Sequence, residues 1–311
     1  MTRPSLASQL DSYLARKTLA GRAQAALSAE SLAYLDTPQG RLRLFDSGEN
    51  TGHPRPCVIF TPDGPNVIEH YWPLFQLLQD DFRIVCFDMP GFGFSMPAAS
   101  YQHSLDQGAQ TVLDVMDGLN VPVATLAFSC ANGLYAMQAA RKAPQRILSL
   151  FLAQTPSLAA MHAWTGRMIP WPLRVPVLGQ SLAWVLRKKL AHGWYHSALP
   201  KDTDKEPFRQ IAGHAFATGG CFCLAGVVQG LVKESPDAMH AISTPCTMLW
   251  GGLDRSHRQT VPESLLDHVP HAEIIRFDDC GHFPEVEQPE RYAQLLKAHV
   301  DKLSGNAVIA G

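Results

Sequence analysis

Six short runs of nearly continuous apolar residues recur along the chain, with helical periodicity between them. The runs are Cys57–Phe60, Arg83–Phe87, Ala124–Ser129, Ile147–Leu152, Cys246–Trp250 and Glu273–Phe277. Strands covered by helices on both faces read this way, because neither face meets water. Helical patterns fill the gaps at Tyr71–Gln79, Ser104–Leu119, Gly133–Lys142, Pro262–His268 and Pro289–Leu303. Strand alternating with helix predicts βαβ units, hence a mostly parallel sheet with helices on both faces. At 311 residues, 46% of them hydrophobic, the chain has the material for one large core of this kind.

Two segments stand outside the alternation. Residues 5–35 are helix-prone, with Leu6, Leu10, Leu14 and Leu19 at helical spacing, and a short extended pair turns at Pro38-Gln39-Gly40. Residues 155–238 hold no strand run; they carry Trp164, Trp171, Trp184 and Trp194 and are broken by Pro170, Pro172 and Pro176, which predicts a helical insertion. The formal net charge of −2 excludes a strong field for nucleic acid. Residues 155–235 nevertheless carry nine Lys/Arg against four Asp/Glu, and no acid stands between 155 and 200 beside Arg167, Arg174, Arg187, Lys188 and Lys189. Such a face is either a solvated helix surface or a docking site for an acidic partner or an anionic membrane. Seven scattered cysteines suit a reduced protein rather than a disulfide scaffold. With no apolar signal core in Met1–Ala20 and no run of membrane-spanning length, a cytoplasmic protein without a transmembrane segment is expected.

Sites in open α/β sheets form at the carboxyl ends of strands. Ser129-Cys130-Ala131-Asn132-Gly133 follows the central run, Gly251-Gly252-Leu253-Asp254 the penultimate one, and Asp279-Cys280-Gly281-His282-Phe283-Pro284 the last. Nucleophile, acid and histidine in that order, each just past a strand, is the order of an α/β-hydrolase triad. With Asp88-Met89-Pro90-Gly91-Phe92-Gly93-Phe94-Ser95 matching the D-x-x-G-x-G-x-S stretch, residues 32–303 resemble the α/β-hydrolase superfamily. The resemblance implies an α/β-hydrolase core at 31–154 and 239–303 and a helical cap at 155–238. Residues 1–30 would be an N-terminal helical extension and 304–311 a flexible tail.

Two residues compete as nucleophile. Ser129 has small neighbours two positions away, Ala127 and Ala131, as a G-x-S-x-G elbow requires. Yet Asp117-Gly118-Leu119 upstream and Pro144-Gln145-Arg146-Ile147 downstream fit the family's register without a gap only if Cys130 holds the position. Cys130 is therefore expected as nucleophile, His282 as base and acid and Asp254 as its orienter, with Ser129 the alternative. A thiol beside an imidazole and at a helix start is expected to ionise near neutral pH. The oxyanion donors implied are the Ala131 N–H and a second from Gly64 or Asn66, since Pro65 has no N–H to give.

Cysteine forms a thioester that a second thiol opens readily, which suits acyl exchange between thiols. The sequence is similar to the Cys-Asp-His branch that shuttles aminoacyl groups between phosphopantetheine arms of carrier proteins, as in syringomycin and coronamic acid assembly. That implies acyl or aminoacyl transfer, with Arg187, Lys188 and Lys189 docking an acidic carrier. A Cys-type ester, lactone or thioester hydrolase needs the same triad, and a lyase or a catalytically silent binding protein would keep the fold. No cofactor is implied, and Cys221-x-Cys223 near His214 is not a zinc spacing.

Overall fold

A computed structural model describes residues 3–19, 32–48, 55–239 and 241–309, the stretch 304–309 by its backbone alone. Eleven strands appear among them: β1 (Leu32–Thr37), β2 (Gly40–Asp46), β3 (Cys57–Thr61), β4 (Arg83–Phe87), β5 (Phe92–Gly93), β6 (Met96–Pro97), β7 (Ala124–Phe128), β8 (Ile147–Ala153), β9 (Cys221–Phe222), β10 (Cys246–Gly251) and β11 (Glu273–Phe277). The main sheet runs β1-β2-β4-β3-β7-β8-β10-β11, with β6 on β2. Strands β1 and β2 pair antiparallel, β2 joins β4 antiparallel, and every pair from β4 to β11 is parallel. The six apolar runs are all in this parallel part, so the mostly parallel sheet expected from the alternation is what forms, in the α/β-hydrolase architecture that the resemblance implied.

Helices cover both faces. Leu105–Gly118 and Cys130–Lys142 bury Val112, Met116, Leu134 and Met137 against Leu126 and Leu150 on one side. Trp72–Leu78 and Pro289–Ile309 bury Phe75, Tyr292 and Leu296 against Phe60, Phe151 and Leu249 on the other. The closing helix runs past the Leu303 boundary expected for a flexible tail; residues 310–311 lie outside the described residues, as does the stretch 20–31 of the N-terminal extension.

The N-terminal helix, Leu6–Leu19, departs from expectation. The leucine spacing captures only one edge of the buried face: Leu19 is buried and Leu10 and Leu14 are half-buried, but Leu6 is 75% exposed, and Ala7, Ser8, Asp11, Ser12 and Ala15 are buried. Small side chains allow close approach, and Ser8 and Asp11 find bonds. Ser8 Oγ donates to Ala99 O at 2.7 Å, and Gln180 Nε2 donates to Asp11 Oδ2 at 3.2 Å. The helix-prone pattern also overran its end, since residues 32–35 belong to β1.

Residues 155–238 form the helices Leu158–Met168, Trp171–Arg174, Leu178–Ala198, Glu206–Thr218 and Leu224–Lys233. They also contain β9, which pairs antiparallel with β5 as a separate two-stranded ribbon. Two residues are too few to leave a periodic signal. Among the described residues no helix is long and apolar enough to cross a membrane.

The Asp88–Ser95 loop is held by a buried arginine. Arg43 Nε donates to Asp88 Oδ2 at 3.0 Å, and its two terminal nitrogens grip Glu69 at 2.7 and 2.8 Å. The loop closes further where Phe94 N donates to Asp88 Oδ2 and Arg43 N to Ser95 Oγ. Removing one partner of a buried pair leaves the other's charge uncompensated. Arg43→Met, which keeps the bulk, should therefore cost about 3–5 kcal/mol in urea denaturation.

Candidate active site

The turn after β7 decides which side chain reaches the sheet edge. Ser129 is extended (φ −119°), and Cys130 takes a left-handed conformation at φ 51° before the helix Cys130–Lys142 begins. A non-glycine residue held in that region is strained, and the sharp strand-to-helix turn thrusts its side chain forward. Cys130 lines a mostly apolar cavity, whereas Ser129 does not. Ser129 Oγ instead donates to Glu285 Oε1 at 2.7 Å, an oxygen that also accepts from Tyr71 OH at 2.9 Å.

Residues at the family's glycine positions have structural uses here. Phe128 is buried edge-on to Phe87, and Asn132 Nδ2 donates to Pro62 O at 3.1 Å, tying the turn to the loop after β3. Gly133 cannot change: a Cβ there would stand 2.1 Å from Thr155 Oγ1.

His282 and Asp254 meet from neighbouring loops. The loops touch because Gly251 has no side chain; a Cβ there would lie 1.7 Å from Gly281 O. His282 Nδ1 lies 2.6 Å from Asp254 Oδ2, both fully buried. That carboxylate also accepts Gln154 Nε2 on Oδ2 at 2.7 Å and the Ser256 N–H and hydroxyl on Oδ1 at 2.8 and 2.6 Å. Burial acts to raise its pKa, but His282, His257 and Ser256 overcome that and hold Asp254 at about 2. A carboxylate so fixed orients the imidazole and favours its cation.

Asp63 is a member of the cluster that sequence reasoning missed. Its Oδ2 lies 3.2 Å from His282 Nε2, so one imidazole is addressed by two carboxylates. Burial lifts the Asp63 carboxyl above its usual range, against the pull of His282. The signal was present: an aspartate precedes Gly64 in the loop after β3, the loop expected to supply the second oxyanion donor. Burial opposes charge on His282, but Asp254, Cys130 and Asp63 together hold its pKa well above the ordinary value.

Two expectations need correction. The Cys130 thiol does not ionise readily at rest: burial pushes it up to about 11, Asp63 adds to the rise, and the hydrogen-bonded His282 only partly offsets them. The apolar cavity outweighs the helix start. Of the oxyanion candidates, Ala131 and Gly64 line the cavity beside Cys130, and the Ala131 N–H faces the thiol. The Asn66 N–H is committed elsewhere: it donates to Asp63 O at 3.0 Å, while the side-chain Oδ1 accepts from Tyr195 OH at 2.8 Å. The turn that brings Asp63 round consumes the backbone donor of Asn66, so only its side-chain Nδ2, buried without a hydrogen-bond partner among the described residues, is left to give.

His257 is a second buried imidazole at the cluster. Its ring stacks on Trp164 at 5.1 Å and 9° and lies 5.3 Å from that of His282. Burial keeps it neutral, its pKa lowered to about 3 against the pull of Asp254.

The cavity has a volume of about 390 Å³. Cys130 and Asp63 lie at one end, Trp164 and Trp194 form walls, and exposed Met168, Leu186 and Lys189 form the rim. Two of the four cap tryptophans therefore line it; Trp171 is 64% exposed, and Trp184 sits beneath Lys17 and Arg187. Lys188 is exposed, and Arg187 lies along Trp184. Cys221 Sγ donates to Gly93 O and Ser95 O, Cys223 bonds with Asp11, and His214 is exposed away from both, so this trio is structural.

Comparison with known proteins agrees with this geometry at the level of fold and family. The chain is 22% identical over 247 residues to 3-oxoadipate enol-lactonase 2 of Acinetobacter baylyi, covering 78% of this chain and 88% of that protein. It is 28% identical over 253 residues to the pimeloyl-[acyl-carrier protein] methyl ester esterase of Shewanella oneidensis, covering 75% and 90%. Among solved structures, the enol-lactonase from Burkholderia xenovorans superposes with a TM-score of 0.68 at 15% identity, covering 86% of this chain and 100% of that one. Residues 58–295, well over half the sequence, match the family described as alpha/beta hydrolase, and the chain belongs to that family.

Proposed function

We propose that this protein accepts an apolar acyl group onto Cys130 from a thioester or ester and passes it to a second thiol, such as the phosphopantetheine arm of an acidic carrier protein. The observation that carries this reading is the left-handed turn that presents Cys130 to an apolar cavity, with His282 and Asp254 behind it. From the state in which Cys130 is a thiol and His282 is neutral, the Sγ proton moves to His282 Nε2 as Sγ attacks the carbonyl carbon. The resulting oxyanion faces the Ala131 N–H and the Gly64 backbone. Collapse expels the donor's thiolate or alkoxide, which takes the proton from His282, and a thioester remains on Cys130. The acceptor thiol then gives its proton to His282 and attacks that thioester, and collapse restores Cys130. Because the free thiol is held near 11, it ionises only as its proton transfers, which spares it idle oxidation. Lys189 on the cavity rim, with Arg187 and Lys188 next to it on the same helix, would dock the carrier.

A second reading, hydrolysis, has its own support. The relatives include an esterase whose named substrate is carried by an acyl-carrier protein and an enol-lactonase, and in such a reaction water replaces the acceptor thiol. Intact mass after exposure to a panel of acyl and aminoacyl phosphopantetheine thioesters separates the two. An adduct on Cys130 removed faster by thiol than by water is the expected result. Free acid without an adduct would favour the hydrolase. Charge reversal at Arg187, Lys188 and Lys189 should slow loading from a carrier protein but not from free pantetheine thioesters.

A further inference from the structure

Acyl transfer leaves one group at the cluster without a task. Both ring nitrogens of His257 are buried and have no hydrogen-bond partner among the described residues. Buried polar groups are nearly always satisfied, and leaving one bare is costly. The ring cannot turn away to find a partner, since it is held against Trp164 and edge-on to Trp250 at 5.7 Å. A nitrogen of that ring, a nitrogen of His282 and the sulfur of Cys130 all lie within 4.8 Å of one another.

We propose that Cys130, His257 and His282 form a binding site for a thiophilic divalent cation, Zn²⁺, which silences the Cys130 nucleophile while bound. One thiolate and two imidazoles are a donor set that zinc takes, with Zn–S of about 2.3 Å and Zn–N of about 2.0–2.1 Å. The three side chains come from three separate loops at the ends of β7, β10 and β11, so closing in on an ion needs small shifts of these loops and of Cys130 and His282, with the His257 ring kept where Trp164 and Trp250 hold it. Nδ1 of His282 is held by Asp254, so Nε2 is the ligand, in the carboxylate–histidine–metal arrangement that fixes ring orientation, and the ion takes the place at Nε2 that Asp63 Oδ2 holds at 3.2 Å. The fourth position falls to water from the cavity that Cys130 lines. Binding releases the Sγ proton, and that of Nε2 where it is present, to solvent; no oxidation state changes. The inference rests on the proposed function only for its consequence, since a metal on Sγ and Nε2 removes both groups that acyl transfer uses.

The test is titration of the metal-free, full-length protein with Co²⁺, followed by competition with Zn²⁺ and metal analysis after gel filtration. One equivalent should bind with a thiolate-to-cobalt charge-transfer band. That band should vanish in Cys130→Ser, and affinity should fall at least tenfold in His257→Phe, with circular dichroism reporting that each variant is folded. His257→Asn, smaller and polar, serves if His257→Phe does not fold. Equal affinity in the wild type and either His257 variant would overturn the site, as would the absence of a charge-transfer band in the wild type. Acyl loading of metal-free wild-type protein reads the proposed function separately. Metal bound through all three residues without acyl loading would uphold the site and sink the acyl-transfer reading.

Discussion

Replacing Cys130 by alanine is expected to abolish covalent capture of an acyl thioester and to lower kcat/KM by a factor on the order of 10³ or more, as loss of a nucleophile does elsewhere. Ser129→Ala is the matched control, because the two residues are adjacent but face different surroundings. Ser129 bonds to Glu285 behind the turn. Burial raises the Glu285 carboxyl to about 7, although Ser129 and Tyr71 pull it down. Losing the hydroxyl should therefore cost about 1–3 kcal/mol of stability while capture on Cys130 continues. Intact mass and thermal unfolding of the two variants measure both effects. If Ser129→Ala lost capture and Cys130→Ala kept it, the assignment of the nucleophile would be reversed.

Asp254→Asn is expected to lower kcat by about 10⁴, the scale known for the equivalent change in a serine-protease triad. The amide keeps the shape but presents an N–H₂ or a neutral oxygen to Nδ1, so the tautomer that frees Nε2 is no longer enforced. Asp63→Asn should act differently. It leaves the bond at Nδ1 and removes a carboxylate from Nε2, and a carboxylate there favours the imidazolium. The His282 pKa should fall, so the acid limb of the pH–rate profile should move to lower pH, with a loss of about tenfold or less. Steady-state kinetics from pH 5 to 9 distinguish the two. An unchanged acid limb in Asp63→Asn would mean that Nε2 does not feel that carboxyl.

The contrast between these two aspartates shows what the sequence made legible. Asp254 was readable because it stands at a strand end in a fixed chain order, and the parallel strands place such loops side by side. Cys130 was singled out by register, with Ser129 kept as the alternative because its neighbours two positions away are small; which of the two lines the cavity is decided by the turn after β7. Asp63 and His257 have no such marker: each reaches His282 because separate loops bend toward a common point, which is a fact about three dimensions rather than spacing. The N-terminal helix shows the same limit. Its leucines follow helical periodicity, yet the buried face is Ala7, Ser8, Asp11 and Ala15, chosen by how closely the helix must approach the cap. The rise of the Cys130 pKa was hidden for a related reason. Residue type suggests an activated thiol, whereas the depth of the cavity above it decides the matter.

The ribbon of β5 and β9 governs how anything enters. Phe92 on the core pairs with Phe222 on the cap, and Cys223 N donates to Gly91 O at 2.8 Å just beyond. Both phenyl rings crowd Gly64, where a Cβ would lie 2.5 Å from Phe92. The N-terminal helix adds a second stitch through Asp11 and Gln180. A cap sewn down at its base in this way cannot swing back like a hinged door. If acyl groups enter past Met168 and Leu186, which line this cavity with Cys130, the depth between rim and sulfur would act as a ruler on chain length, a limit set by the stitching rather than by any one side chain.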